Sequence, residues 1–351
     1  MKRHLFSRLL SAAGPLCGLP LSLPTGAEPL QFALVAKRVD HPFFIQAGEG
    51  CAEAAQAQND TCLLLGAAGL EHFRLQNQVL EQALDRDLDG LALSVTHSQW
   101  LAEHALQRAG KAPLITFEAD LKPAEQHLRR SYVGLDNLVF GQQLGALAQR
   151  FRPQGGKLCV LNGSSRETNY QERLQGIRQQ LRGSQAQTEG GEANRLSGEN
   201  GWSEPSRCPL YRAENPEKAL LQLAAFLNTS EADVIISTGS WPIYHADAFR
   251  QQLGPLLAEL DKKSVRPAII VAANEPDAAQ RALLDDGLVQ AYLSLEGREI
   301  GRQSYRMLKR LAQGEPVPEK VFVDSHPYLP KSKTGCSRHP RTGQSASADR
   351  V

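Results

Sequence analysis

The sequence predicts an α/β fold made of two doubly wound parallel-sheet lobes. Three observations predict it. From residue 31 onward, short apolar runs alternate with longer segments whose apolar residues recur at helical spacing. Runs such as "AIIVAA" are apolar at every position, as in strands covered on both faces. The alternation also proceeds once to about residue 137 and then starts again. Strands alternating with helices of about 10–15 residues form βαβ units, and two consecutive sets form two lobes.

The elements follow in order. "FALVA" (32–36), "CLLL" (62–65), "GLALSV" (90–95), "PLITF" (113–117) and "SYVGLDN" (131–137) read as the strands of the first set. "FALVA" is expected at the centre of its sheet. Helices over 43–58, 71–86 and 98–110 connect the earlier ones. The second set has strands at 157–163, 233–239, 268–274 and 289–295, and helices at 168–182, 216–229, 243–260, 276–286 and 298–313. "KVFVD" (320–324) makes a last strand. Residues 183–212 are rich in Gly, Ser and Asn and read either as a long functional loop or as a poorly ordered insert. The end, 331–351, lacks apolar periodicity and is expected to be disordered.

The totals narrow the function. The 351 residues are 41% hydrophobic and 22% charged, an ordinary globular composition with room for two domains of about 150 residues. Net charge is +1 with scattered Lys and Arg, so no nucleic-acid footprint is visible. Residues 1–27 read as a secretory signal: Lys2, Arg3 and Arg8, then an uncharged apolar stretch, then small residues around Ala27. Bulky Leu16 before Cys17 argues against a lipid-anchored cysteine. Cleavage after Ala27 removes three positive charges and takes the net charge from +1 to −2. Five cysteines then remain, Cys51, Cys62, Cys159, Cys208 and Cys336, none in C-x-x-C spacing. An oxidising compartment permits disulfides among them.

In doubly wound sheets, ligands sit outside the carboxyl ends of the strands. The residues following the strands are therefore the candidates. They include no H-E-x-x-H, G-x-S-x-G, phosphate loop or G-x-G-x-x-G, so neither a catalytic set nor a metal or cofactor site is expected. Ser164, Ser165 and Asn169 lie in a turn with no base in view beside them. Instead the strand ends mix hydrogen-bonding groups (Asp136, Asn137, Gln171, Arg173, Asn274) with aromatic rings (Phe43, Phe44, Trp241). Planar donors and acceptors bond paired hydroxyls, and rings cover the apolar faces of a sugar. Bland roles compete. One of Phe43 and Phe44 anchors a helix while the other faces the ligand. Asp136 and Asn137 also suit an N-cap. Arg173 pairs with either a carboxylate or the ligand. Trp241 precedes Pro242 at a helix start. His41 is either a ligand donor or a solvated turn residue, and His97 and His245 read as surface residues.

These stretches resemble the periplasmic sugar-binding proteins of ABC importers, the ribose-binding-protein-like type I class. "VAKRVDHPFF" is similar to that family's first strand and its D/N-x-PFF turn. "DGLALSV", "APLITFEAD", "SYVGLDNLVFGQQLG", "GGKLCVLNGSSRETNYQERLQGIRQQL" and "LLDDGLVQAYLSLEGREIGRQS" are similar to its later segments, in order, over about residues 31–325. "GENGWSEPSRCPLY" (198–211) matches a subgroup with cysteines at the places of Cys51, Cys62 and Cys159.

The resemblance implies two lobes joined by a hinge of three crossings. The first lobe takes 28–135 plus 296–322, and the second takes 136–295 plus about 323–330. It implies disulfides Cys51–Cys62 and Cys159–Cys208, the second making the irregular loop an ordered element. Its ligand contacts fall on His41, Phe43, Phe44, Ser94, Glu118, Leu135, Gln171, Ser240 or Trp241, Asn274 and Leu295. Several depart from the sugar pattern: His41 replaces Asn or Asp, Glu118 replaces Asp with no Arg after it, and "DSHPYLPKSKTGC" replaces the usual last crossing. It implies a periplasmic, non-enzymatic monomer that closes on a sugar or polyol and delivers it to an ABC permease. Alternatively, the closed form is presented to a sensor kinase in the inner membrane.

Overall fold

The computed structural model describes residues 28–69, 71–110, 113–165, 167–183, 195–211, 215–229 and 231–331. The expected signal at 1–27, nearly all of the expected tail, and parts of the irregular 183–212 segment lie outside them. The first set of elements is β1 (Gln31–Val35), α1 (Pro42–Gln56), β2 (Thr61–Leu65), α2 (Phe73–Leu84), β3 (Gly90–Leu93), α3 (Ser98–Glu103), β4 (Leu114–Phe117) and β5 (Tyr132–Gly134). The second is α4 (Asn137–Phe151), β6 (Gly156–Leu161), α5 (Thr168–Arg182), β7 (Trp202–Ser203), α6 (Pro216–Thr229), β8 (Val234–Ser237), α7 (Ala246–Lys262), β9 (Ala268–Ala273), α8 (Ala278–Asp285) and β10 (Ala291–Ser294). Then come α9 (Gly297–Ala312), β11 (Lys320–Phe322) and β12 (Pro327–Tyr328).

These strands form two six-stranded sheets, ordered β11-β5-β4-β3-β1-β2 and β12-β10-β9-β8-β6-β7. All pairings are parallel except β12 on β10. The apolar runs are the buried strands: β3, β4, β8, β9 and β10 are buried at every residue. β1 is next to an edge rather than central. It carries one exposed residue at its start, yet β2 and β3 flank it and it is buried over the rest of its length. The chain passes between the sheets at 135–136, 295–296 and 323–326. "KVFVD" is thus divided: β11 closes the first sheet, and the chain then crosses to the second. There, Ser294 N–H donates to the His326 carbonyl (3.0 Å) and His326 Nδ1 lies 2.6 Å from Glu296.

Helix boundaries follow local chemistry. The predicted helix over 98–110 breaks at His104, whose backbone is not helical, and resumes as a 3₁₀ turn at Ala105–Arg108. The helix predicted from 243 starts as a 3₁₀ turn at Trp241–Ile243 before α7. In each lobe two helices cross at glycines. A Cβ on Gly50 would lie 2.8 Å from the Arg298 carbonyl carbon, and one on Gly301 would lie 2.7 Å from that of Ala47, so α1 and α9 touch backbone to backbone. Gly141 and Gly176 do the same for α4 and α5.

Both implied disulfides are present. Cys51 (α1) joins Cys62 (β2) at a Cα separation of 5.8 Å, and Cys159 (β6) joins Cys208 at 5.3 Å, inside the range a bridge spans. The second pins 195–211 to the sheet, and β7 in that segment becomes its edge strand. This part of the irregular loop is therefore ordered.

Candidate functional site

The carboxyl ends of both sheets face a common cleft. Its pocket, about 410 Å³ including its mouth, is lined from the first lobe by Lys37, His41, Phe43, Phe44, Glu71 and Glu118, with Leu295 at a crossing. The second lobe contributes Tyr170, Arg173, Gly239, Ser240 and Trp241.

The aromatic wall begins at the start of α1. His41 is its N-cap: Nδ1 accepts from Phe43 N–H at 3.1 Å. Burial, aided by the Arg38 charge, lowers the His41 pKa to about 4, so the ring is neutral at neutral pH. With Nδ1 accepting, Nε2 carries the proton and is the group left to donate. His41 thus shapes the turn and lines the pocket, buried enough to lose its charge rather than solvated. Phe43 and Phe44 are 4% and 3% exposed, and both line the pocket. The expected division of labour between them does not occur. Their rings meet edge to face at 5.2 Å, and Phe44 also packs on Phe117 and His41. They share core and cleft because the turn delivers them where the core ends. Across the cleft, Trp241 packs against Tyr170 at 5.6 Å. Trp241 lies close over Gly239, where a Cβ would come 2.5 Å from the ring.

The polar floor is a charged cluster. Lys37, at the carboxyl end of β1, sits 3.2 Å from Glu118 and 2.6 Å from Glu167. Burial works against its charge, but those two carboxylates hold its pKa well above the ordinary lysine value. Glu118 is likewise held below the usual carboxylate range: burial opposes this, and Lys37, Arg173 and the Ser94 hydroxyl overcome it. Ser94 Oγ donates to Glu118 Oε2 at 2.7 Å, and Asn169 Nδ2 donates to Oε1 at 2.7 Å. Glu118 holds a left-handed backbone (φ 60°), an unfavourable conformation for a residue with a side chain.

Arg173 pairs with no carboxylate within ion-pair distance among the described residues. Its Nε donates to Asn137 Oδ1 (2.9 Å) and its Nη1 to the Thr238 carbonyl (2.8 Å), while its plane lies over Tyr170 and Phe140. The α4 N-terminus takes Asp136 and Asn137 away from the cleft. Asp136 accepts from Val139 N–H (3.1 Å) as the N-cap, and Asn137 orients Arg173. Gln171 is exposed and bonds the Ser165 carbonyl, outside the pocket. Asn274 is buried at the end of β9, outside the pocket lining. Its Oδ1, Asn169 Oδ1 and Ser240 Oγ are buried with no hydrogen-bond partner among the described residues.

Sequence reasoning missed Lys37, Glu71, Glu167 and Tyr170. Lys37 directly follows an apolar strand, so the strand-end rule could have found it had it been applied three residues earlier. Glu167 and Tyr170 follow β6 at strand-end positions, Tyr170 in the first turn of α5, but only Ser164, Ser165, Asn169, Gln171 and Arg173 of that stretch are singled out from sequence. Among the described residues no cluster of His, Cys, Asp and Glu could hold a metal, and no helix is long and apolar enough to cross a membrane.

No curated protein matches the chain. Solved structures do match its fold. A glucose-galactose binding protein from Geobacillus stearothermophilus is 17% identical, covering 88% of this chain and 99% of that one, with a TM-score of 0.70. An ABC transporter periplasmic solute binding protein from Actinobacillus succinogenes, with bound D-allose, is 16% identical over 86% and 97%, with a TM-score of 0.68. An ABC transporter solute binding protein from Agrobacterium vitis, bound with α-D-tagatopyranose, is 18% identical over 87% and 96%, with a TM-score of 0.70. The family model of the periplasmic binding protein domain matches residues 32–316. With its two parallel sheets, its three crossings and its cleft of rings and buried polar groups, the chain belongs to the periplasmic binding protein family, whose members bind solutes rather than transform them.

Proposed function

We propose that the protein captures a neutral sugar or polyol between its lobes in the periplasm and delivers it, as a monomer, to an ABC importer. The observation that carries this reading is a cleft of aromatic rings and hydrogen-bonding groups whose cations are already held by carboxylates of the protein. Lys37 pairs with Glu118 and Glu167, the Arg173 charge acts on Glu118, and Glu71 adds a third carboxylate to the lining. An anionic ligand would add to a surplus of carboxylates in a partly buried site, which is costly. What the pocket offers instead is rings for an apolar face and the unpartnered Ser240 Oγ for a hydroxyl, while Asn169 Oδ1 and Asn274 Oδ1 are buried and unpartnered outside its lining. The sugars named for the structural neighbours belong to the same chemical class.

His41, Phe43, Phe44, Glu118, Arg173, Ser240 and Trp241 are the contacts, and Asn274 at the end of β9 offers its unpartnered Oδ1. Ser94 and Asn137 act by orienting Glu118 and Arg173. Ligand that touches both lobes only in the closed form shifts the population toward it. A thermal-shift screen of neutral, acidic and amino sugars and polyols tests the reading, since a bound ligand raises the melting temperature by mass action. At least one neutral member should give a shift. Shifts confined to charged members would overturn it.

A further inference from the structure

The geometry points to Lys37 and Glu167 as a latch that closes the two lobes on each other without help from ligand. Lys37 belongs to the first lobe, after β1, and Glu167 to the second, at the N-cap of α5. They are 130 positions apart in sequence and 2.6 Å apart in space, with side chains 2% and 14% exposed. Glu167 makes no cap bond to its own helix, although it occupies the capping position. Its carboxylate reaches across the cleft instead. Two residues further along, Asn169 bonds Glu118 at 2.7 Å, a second bridge parallel to the first.

The two halves of the ion cluster respond differently to opening. Lys37 and Glu118 both belong to the first lobe, and their 3.2 Å pair survives opening. Glu167 alone is withdrawn, into water. Closure therefore adds one carboxylate to an ammonium that is already held in place, which lowers the ordering cost of making the pair. Removing the Lys37 charge reverses the balance. Two carboxylates would then face each other in a buried site, and opening relieves the repulsion and the desolvation together. Neutralising Glu167 removes the charge attraction across the cleft, leaves at most a neutral hydrogen bond in its place, and keeps Lys37 paired with Glu118. A latch of this kind raises the population of the binding-competent form before ligand arrives, and apparent affinity scales with that population. The inference uses the sugar reading only in taking the closed form as the competent one.

Small-angle X-ray scattering of sugar-free protein tests it on wild type, Glu167→Gln, Lys37→Met and Lys37→Arg. Wild type and Lys37→Arg should give the smaller radius of gyration, and Glu167→Gln and Lys37→Met a larger one. Circular dichroism should be unchanged throughout. Glu167→Gln is the decisive variant, because it is isosteric and leaves Lys37 paired. A purely structural role would alter the unfolding midpoint and not the native radius. Equal radii for wild type and Glu167→Gln, whether compact or extended, overturn the latch. No sugar enters the comparison, so a failed sugar screen leaves this result standing, and equal radii leave the sugar reading standing.

Discussion

Replacing Gly301 by alanine puts a methyl group into the seam between α1 and α9. Its carbon would lie 2.7 Å from the Ala47 carbonyl carbon and 3.0 Å from the Ala47 Cα, with the carbonyl oxygen closer still. Ordinary carbon–carbon contact needs about 3.5 Å, and with the oxygen as the limiting atom the helices must part by more than about 1 Å. Backbone is on the other side, and no rotamer change can absorb the clash. Overpacking of a rigid core costs about 1–3 kcal/mol, and this site belongs at the upper end. At about 3 kcal/mol the melting temperature of a chain this long falls by roughly 4–5 °C. Urea unfolding followed by circular dichroism measures it, with an unchanged m-value as the check on two-state behaviour. Gly50→Ala meets Arg298 backbone in the same seam. One parting of the helices accommodates both methyls, so the double variant should lose less than the two singles together. A loss below about 1 kcal/mol for Gly301→Ala would show that the helices do not touch as described.

The other predictions concern the site and its supports. Trp241→Ala and Asn274→Ala should each weaken binding of the screened sugar by roughly 1–3 kcal/mol in calorimetry, and unchanged affinity in both would place the contacts elsewhere. Removing Cys159–Cys208 by paired serines should cost about 4 kcal/mol from loop closure over 49 residues, against about 3 for Cys51–Cys62 over 11; the reverse order in urea midpoints would contradict the entropic account. His41 binds its proton less readily folded (about 4) than unfolded (6.5), so the unfolded chain takes up more protons between these values. Stability should therefore fall as pH drops from about 6.5 to about 4. His41→Asn keeps a capping oxygen without the titration and should flatten that window. Parallel wild-type and variant curves would exclude His41 as the cause.

Much of the fold was legible because its causes are local. Apolar runs of four to six residues became the buried strands, and helical periodicity located the helices, since each is a property of neighbouring side chains. Asp136 shows both the reach and the limit of such reading: capping and ligand contact fit it equally in sequence, and the helix start decided for capping. Arg173 was expected beside a carboxylate or a ligand, and the fold gave it the Asn137 amide and the Thr238 carbonyl on the way to the pocket.

The sequence by itself determined two sheets of alternating strands and helices, and the loops from which a site is made. Only the tertiary structure decided which groups in those loops meet. Sheet order puts β1 beside an edge, between β2 and β3, and sends Lys37, two residues past its end, toward a glutamate 130 positions away. The glycines of α1 and α9 bring those helices into backbone contact. Periodicity records which face of an element is buried. It carries no record of which element lies opposite, and the pairing of charges across the cleft depends on that.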